Sequence, residues 1–446
     1  DDILFGVNGR VVLSETAQPL LIETVNPTVG GEDTIAGNAD DDKILGGAAG
    51  DTLQGNEGED IILGDHGRFD YLFAGATVSD VVEGAFAEVE IAADADATTL
   101  DVVTTTDATE GGSDRILGGA GDDLVFGGTG GDEIDGDDGL ADGAIADGAD
   151  DILLGDHGAY YTALPQEQRY RSTDTRAADG GGNDIIRGNQ GDDKILGQQG
   201  DDQLLGQDGE DDITGGHNVR GGAAGADTID GGNAADVILG DNGLITRNLQ
   251  TDGSPERHPA PFADVIRNVV RFDDAEAVAQ SNGQSNGQSP ETTSGDDTIK
   301  GGEGDDIVHA QRGADSVEGN GGDDELYGEL GNDTMDGGAG NDTILGDTGF
   351  ITRALNPDNT PRLNANGSWH RDVILTEVGS ITRNNRVNED FAEQGRNDDI
   401  WVRTGRNRVL SVDLESPGND VIFGGDGEDT IFGQLGEDEI SGGRDR

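Results

Sequence analysis

The chain has no cysteine, so neither disulfides nor thiolate metal sites are available to it. Aromatic residues make up only 4%, there is one methionine, and lysine is almost absent. Positive charge of any kind is scarce: 27 Lys and Arg stand against 93 Asp and Glu, a formal net charge of −66. That balance argues against nucleic acid and anionic lipid as partners. No apolar run approaches the ~18 residues of a membrane span, so none is predicted. No His-Glu-x-x-His spacing occurs, so a zinc protease is not encoded. A chain this acidic repels itself and resists compaction unless something neutralises it.

Glycine is what the chain has in quantity, 77 of 446 residues, and it is arranged periodically. Residues 301–349 read as five nine-residue units in register, GGEGDDIVH, AQRGADSVE, GNGGDDELY, GELGNDTMD and GGAGNDTIL, followed by GDTG. The fourth position is always glycine (Gly304, Gly313, Gly322, Gly331, Gly340) and the sixth always aspartate (Asp306, Asp315, Asp324, Asp333, Asp342). The eighth is always apolar (Val308, Val317, Leu326, Met335, Ile344). Such position-specific periodicity marks a repeat architecture. The pattern x-Asp-x-apolar-x sets one large apolar side chain on one face of a short strand. The glycines before it permit a tight turn at positive φ. One unit cannot bury its apolar residue alone, so units stack, two strands and two turns per eighteen residues, into a flattened coil with the apolar residues inside. Aspartates and turn carbonyls then form rows along the edges. Carboxylates a strand spacing apart repel strongly unless a cation sits between them. Hard oxygen donors in a flexible turn suit calcium better than magnesium, zinc or copper.

These nonapeptides resemble the RTX repeat, G-G-x-G-x-D-x-U-x, of the haemolysin-type calcium-binding family. The resemblance implies a parallel β-roll with Ca²⁺ held between turns by aspartate carboxylates and turn carbonyls. It also implies type I secretion and an extracellular or cell-surface location, with the acidic chain unfolded in the cytosol and folded by external calcium. If about 15 ions bind, roughly 30 charges are neutralised and collapse becomes feasible. Metal clips then replace disulfides as staples.

The predicted fold is all-β: tandem β-roll blocks interrupted by strand-rich insertions, in an elongated modular protein. Residues 1–30 read as the end of a preceding roll plus an insertion, since DDILFGVNG matches DDILLGDHG at 150–158. The chain is therefore expected to be a segment of a longer protein or a processed product. Block 1 spans 31–67, with metal-ligating candidates Asp33, Asp42, Asp51 and Asp60; 68–111 is an insertion. Block 2 spans 112–158, with Asp114, Asp123, Asp132 and, after an irregular LADGAIADGA, Asp151; 159–181 is an insertion. Block 3 spans 182–243, with Asp184, Asp193, Asp202 and Asp211, a register break at HNVRGGAAGA, then Asp227 and Asp236. An insertion and low-complexity loop cover 244–294. Block 4 spans 295–349 with Asp297 and the five aspartates above, 350–418 is an insertion, and block 5 opens at 419–446 with Asp420, Asp429 and Asp438.

Blocks share an exit, LFGVNGRVVL, LGDHGRFDYL, LGDHGAYYTAL, LGDNGLITRNL and LGDTGFITRAL, each leading into a strand-like arm. The exit aspartates Asp65, Asp156, Asp241 and Asp347 either add a ligand or favour the turn. His66 and His157 read as turn residues, because Asn8, Asn242 and Thr348 fill the same slot. Within the arms GAFAEVEIA, TLDVVTT, RDVILTEV and RVLSVDL are predicted strands, ADVIRNVVRF a strand or short helix, and AQSNGQSNGQSPETTSG a linker or loop tip. Gly283–Gly287 matches G-x-S-x-G but lies in that repetitive tract, without a strand before it and a helix after it. Asn332, Asn341 and Asn366 begin glycosylation sequons, the first two inside repeat turns. Residues 350–418 hold nine Arg against ten acids, whereas 296–347 hold two basic residues against fifteen acids. The Arg-bearing arms are therefore expected to pack on the acidic rolls, within the chain or between chains.

No catalytic residue is assigned, and calcium is the one cofactor. The expected function is a calcium-dependent structural or adhesive surface protein: adhesin, surface layer or filament, self-associating through its insertions. The alternative is the non-catalytic region of a larger secreted enzyme or toxin. Ice binding is disfavoured, because the third turn position (Glu303, Arg312, Gly321, Leu330, Ala339) shows no threonine row.

Overall fold

The computed structural model describes residues 2–443 apart from 83–84, 95, 97, 138–147, 177, 220, 273–293, 348, 376–418 and 435–437. Two parallel twelve-stranded sheets face each other, their strands alternating along the sequence. One begins with Ile3–Phe5, Lys43–Leu45 and Ile61–Leu63 and ends with Thr343–Leu345 and Thr430–Phe432. The other runs from Thr34–Ala39 and Thr52–Glu57 to Val421–Phe423 and Glu439–Ser441. The result is a parallel β-roll of about 4.8 Å rise per coil, on the order of 55 Å long.

The blocks form a single roll. Ile61–Leu63 pairs with Leu124–Phe126 across the second arm, and Thr334–Asp336 pairs with Val421–Phe423 across the last, both in register. The two register breaks change nothing either: Arg115–Ala120 pairs with Glu133–Asp135, which pairs with Ile185–Gln190, and Asp212–Thr214 pairs with Val237–Leu239. Turn geometry explains why this sequence coils. The second turn position adopts positive φ in most coils, at Gly302 (118°) and Gly338 (95°) and, where glycine is replaced, at asparagine as in Asn56 (83°) and Asn320 (72°) or at glutamine as in Gln198 (78°) and Gln311 (75°). Asparagine tolerates that conformation better than other side chains.

The eighth-position residues of the two sheets meet inside, from Ile44, Leu53 and Ile62 to Met335, Ile344 and Ile422, nearly all with no solvent exposure. The outer faces differ. On the first sheet the ninth position is largely apolar (Leu45, Leu63, Phe126, Leu154, Leu196, Leu239, Tyr327, Leu345), and the arms cover it. On the second sheet it is mostly polar (Gln54, Asp135, Arg187, Asp230, Lys300, Glu318, Asp336), and no arm strand pairs or packs there among the described residues. We call these the covered and the open sheet.

The first three arms merge into one antiparallel sheet, in the order Tyr170–Ser172, Gly158–Tyr161, Val102–Thr105, Gly67–Asp70, Pro19–Thr24, Gly9–Leu13. Its Ile22, Phe69, Val103 and Tyr170 pack on Leu45, Leu63, Phe126 and Leu154 of the roll. Within the second arm, Ala76–Val82 and Ala85–Ile91 form a hairpin. The fourth and fifth arms are hairpins, Gly243–Arg247 with Arg267–Arg271 and Gly349–Arg353 with Arg371–Leu375. ADVIRNVVRF is therefore strand rather than helix. RVLSVDL and nearly all of the low-complexity tract lie outside the described residues. These two hairpins are copies of one fold. Each closes a ring of three backbone hydrogen bonds, Asn248–Ile266–Glu256 in one and Ala354–His370–Arg362 in the other. They also touch: Trp369 of the fifth stacks on Phe262 of the fourth at 4.6 Å and meets His258 edge-on at 4.8 Å. Among the described residues no helix is long and apolar enough to cross a membrane.

Candidate metal centres

Each edge of the roll carries one row of aspartates. The first runs Asp33, Asp51, Asp114, Asp132, Asp184, Asp202, Asp227, Asp297, Asp315, Asp333, Asp420, Asp438. The second runs Asp42, Asp60, Asp123, Asp151, Asp193, Asp211, Asp236, Asp306, Asp324, Asp342, Asp429. Every position-six aspartate singled out in the sequence stands in one of these two rows. Along both, each backbone N–H donates to Oδ1 of the next aspartate, at 2.6 to 3.2 Å. The bond spans 18 residues within a block and up to 87 where an arm intervenes. The rows pass both register breaks, through Asp123 to Asp151 and Asp202 to Asp227.

The second carboxylate oxygen is different. In Asp42, Asp51, Asp60, Asp202, Asp306, Asp324 and Asp342, among others, Oδ2 is fully buried and accepts no hydrogen bond. It sits beside the position-one glycine and against the carbonyl oxygen of the same glycine one coil on. A β-carbon on Gly55 would collide with Asp60 Oδ2 and the Gly118 carbonyl, and one on Gly197 with Asp202 Oδ2 and the Gly215 carbonyl. Buried acceptors facing buried acceptors, with no donor, fit a hard cation and little else. Among the described residues no three carboxylate or imidazole side chains gather at one point, so each centre would combine one carboxylate oxygen per rung with backbone carbonyls.

The electrostatics agree. Burial, reinforced by neighbouring aspartates, pushes these carboxyls far above their ordinary range: to about 6 at Asp51, Asp60 and Asp420, about 7 at Asp297, Asp306, Asp333 and Asp342, about 8 at Asp114 and about 9 at Asp315 and Asp324. Asp132, Asp151, Asp184, Asp193, Asp202, Asp227 and Asp236 are raised by the same burial and like-charge repulsion. Bare, these rows are costly to ionise.

The position-one glycine is open to test. In Gly319→Val the side chain must displace Asp324 Oδ2 or the Gly337 carbonyl. The expected cost is about 1–3 kcal/mol, read as a rise in the calcium concentration at half-maximal folding; an unmoved midpoint refutes the crowding. Ala310, buried where this glycine is replaced, shows that one methyl can be accommodated.

The exit aspartates do something else. Asp65 accepts the N–H groups of Gly112 and Thr129, and Asp156 those of Gly182 (3.0 Å) and Gln199 (2.8 Å). They staple the returning chain to the corner it left. Gln198 Oε1 and Gln311 Oε1 complete the turn by accepting the N–H of Asp156 and Asp241, and their Nε2 groups donate to the His157 and Asn242 carbonyls. His66 and His157 are buried in these corners, His66 Nε2 bonded to the Pro27 carbonyl at 2.9 Å.

Sequence reasoning also missed a second acidic column at position five. Asp122 accepts the N–H of Asp150, Asp150 that of Asp192, Asp192 that of Glu210, and Asp305 that of Asp323. Its signal was the frequent Asp-Asp or Asn-Asp pair.

A two-sheet parallel roll edged by rows of buried, donor-free carboxylate oxygens is the architecture of a cation-binding repeat protein. A family model for the RTX calcium-binding nonapeptide repeat matches residues 28–62, 45–68, 109–139, 178–216, 222–243, 291–317, 318–350 and 416–446, together just over half of the chain. The chain belongs to that family of calcium-binding repeat proteins. No curated protein matches it significantly.

Proposed function

We propose that the position-six aspartates hold calcium through Oδ2, with the position-one carbonyls of neighbouring coils, and that the folded chain is an extracellular structural or adhesive element. Calcium would supply the positive charge that the donor-free oxygens require. The chain supplies the rest: Oδ1 fixes each carboxylate to the preceding rung, and the glycine corners bring carbonyls within reach. The observation that carries this reading is the unbroken course of both rows through every coil, arms notwithstanding. Supporting it, the arms form a packed layer on one sheet and leave a polar face on the other.

Negative-stain electron microscopy of the purified chain, with calcium and with EGTA, tests the assembly. Fibres or layers that disperse in EGTA are expected. Single rods at every calcium concentration would refute self-assembly and favour the non-catalytic region of a larger secreted enzyme or toxin.

A further inference from the structure

On the covered sheet, position seven is acidic at Asp212 and Glu325 only, among the described residues. Both are buried, and both are gripped the same way. Asp212 accepts Nε–H of Arg247 (2.7 Å) and of Arg267 (2.6 Å); Glu325 accepts Nε–H of Arg353 (2.8 Å) and of Arg371 (2.9 Å). Each arginine pair is a direct cross-strand pair of one arm hairpin. Further N–H groups reach position-five carbonyls on three successive coils, those of Asp192, Glu210 and Ala235 around Asp212 and of Asp305, Asp323 and Asn341 around Glu325, while Arg247 Nη2 also donates to the Asp193 carbonyl and Arg353 Nη1 to the Asp264 carboxylate of the fourth arm. One geometry is thus built twice, about 113 residues apart in sequence, by corresponding positions of two copied arms.

The chemistry makes the acid decisive. Two guanidinium groups opposite each other in a hairpin repel, and burying them without a partner is expensive. The planar fork can bond a carboxylate edge and a carbonyl together, which an ammonium cannot. Where position seven is instead Ile61, Leu124 or Ile152, the arms above dock by apolar contact through Phe69 and Val103. We infer that the position-seven acid, with the three carbonyls around it, is a receptor for a hairpin bearing a cross-strand arginine pair. Asp212 and Glu325 are then the specificity-determining residues that place the fourth and fifth arms. This assignment does not depend on the assembly reading above.

The test is made on the whole chain in saturating calcium, with Trp401→Phe leaving Trp369 as the only tryptophan. Trp369 is buried against Phe262 and reports docking. Glu325→Gln is expected to shift Trp369 emission to the red and to speed trypsin cleavage after Arg362 on the order of a hundredfold, while the β-sheet circular dichroism and bound calcium per chain stay at the parent values. Glu318→Gln, on the open sheet, is expected to change none of these. Should Glu325→Gln lose the roll itself, the arm-side variant Arg353→Gln/Arg371→Gln decides, since it leaves the receptor intact. Retained emission and protection in that variant, or in a folded Glu325→Gln, overturns the assignment.

Discussion

Exhaustive chelation at pH 8 will unfold the chain. Its β-sheet circular dichroism should collapse, and its radius of gyration should climb toward roughly 80 Å, the scale of an unfolded chain of this length. The reason is the count of donor-free oxygens. Each of the two rows places a buried carboxylate in every coil but those at the ends, and the neighbouring carboxylate lies one strand spacing away. At an effective dielectric of about 20 such neighbours repel by several kcal/mol per pair, summed along two rows against a folding free energy of only about 5–15 kcal/mol per domain. The transition should be steep in calcium, because neighbouring rungs share donors and a stacked solenoid propagates order from coil to coil. A chain that keeps its β signal and its dimensions in excess EDTA would refute the ion requirement outright. Magnesium at the same concentration should substitute poorly, since it demands a tighter octahedron than carbonyl corners provide.

Acid should do part of what calcium does. Burial pushes row carboxyls such as Asp51, Asp333, Asp114 and Asp324 up to about 6, 7, 8 and 9, against an ordinary value of 3.8. Between those values the metal-free folded chain binds more protons than the unfolded chain. Its stability therefore falls as pH rises through that window, and grows as pH falls toward about 4. In EDTA, the chain at pH 4.5 should show substantially more β-structure than at pH 8. With calcium the sign reverses for the ion: protons compete for the same oxygens, so the calcium midpoint should rise as pH drops from 8 to 5. Circular dichroism at the two pH values, with a calcium titration at each, reads both effects. Equal β content in EDTA at pH 4.5 and 8 would show that the carboxylate rows do not govern folding. The arm clamps should behave oppositely. Burial alone would raise Asp212 and Glu325, but Arg247 with Arg267, and Arg353 with Arg371, hold both down at about 2.

Much of this molecule is legible in its sequence because the nonapeptide is a local rule. Position six names the row aspartates, and position eight names the core, as Val308, Val317, Leu326, Met335 and Ile344 show. What the spacing did not reveal was the continuity of the roll. Arms interrupt the chain but not the stack, and nothing local in DDLVF at 122–126 says that it will pair with Ile61–Leu63, some sixty residues earlier. A subtler signal went unread. Position nine alternates unit by unit, Leu45, Gln54, Leu63, and again Tyr327, Asp336, Leu345. That eighteen-residue period names the sheet that the arms cover. The role of the exit aspartates was illegible for a different reason: their partners, such as Gly112 and Thr129 for Asp65, come from beyond the arm, so the contact is purely tertiary. The arginine excess of the arms did point to packing on acidic coils, but Asp212 and Glu325 are set apart from so many carboxylates only by the tertiary approach of the two hairpins.

The hydrogen bond between consecutive row aspartates has the same form whether 18 residues or 87 separate them. Loop closure costs grow only logarithmically with length, so the scaffold is nearly blind to the size of what leaves a corner and comes back. A corner of this kind is a cloning site in physical terms. Foreign peptides grafted between an exit aspartate and the glycine it staples would ride at fixed heights along a rigid, metal-set ruler.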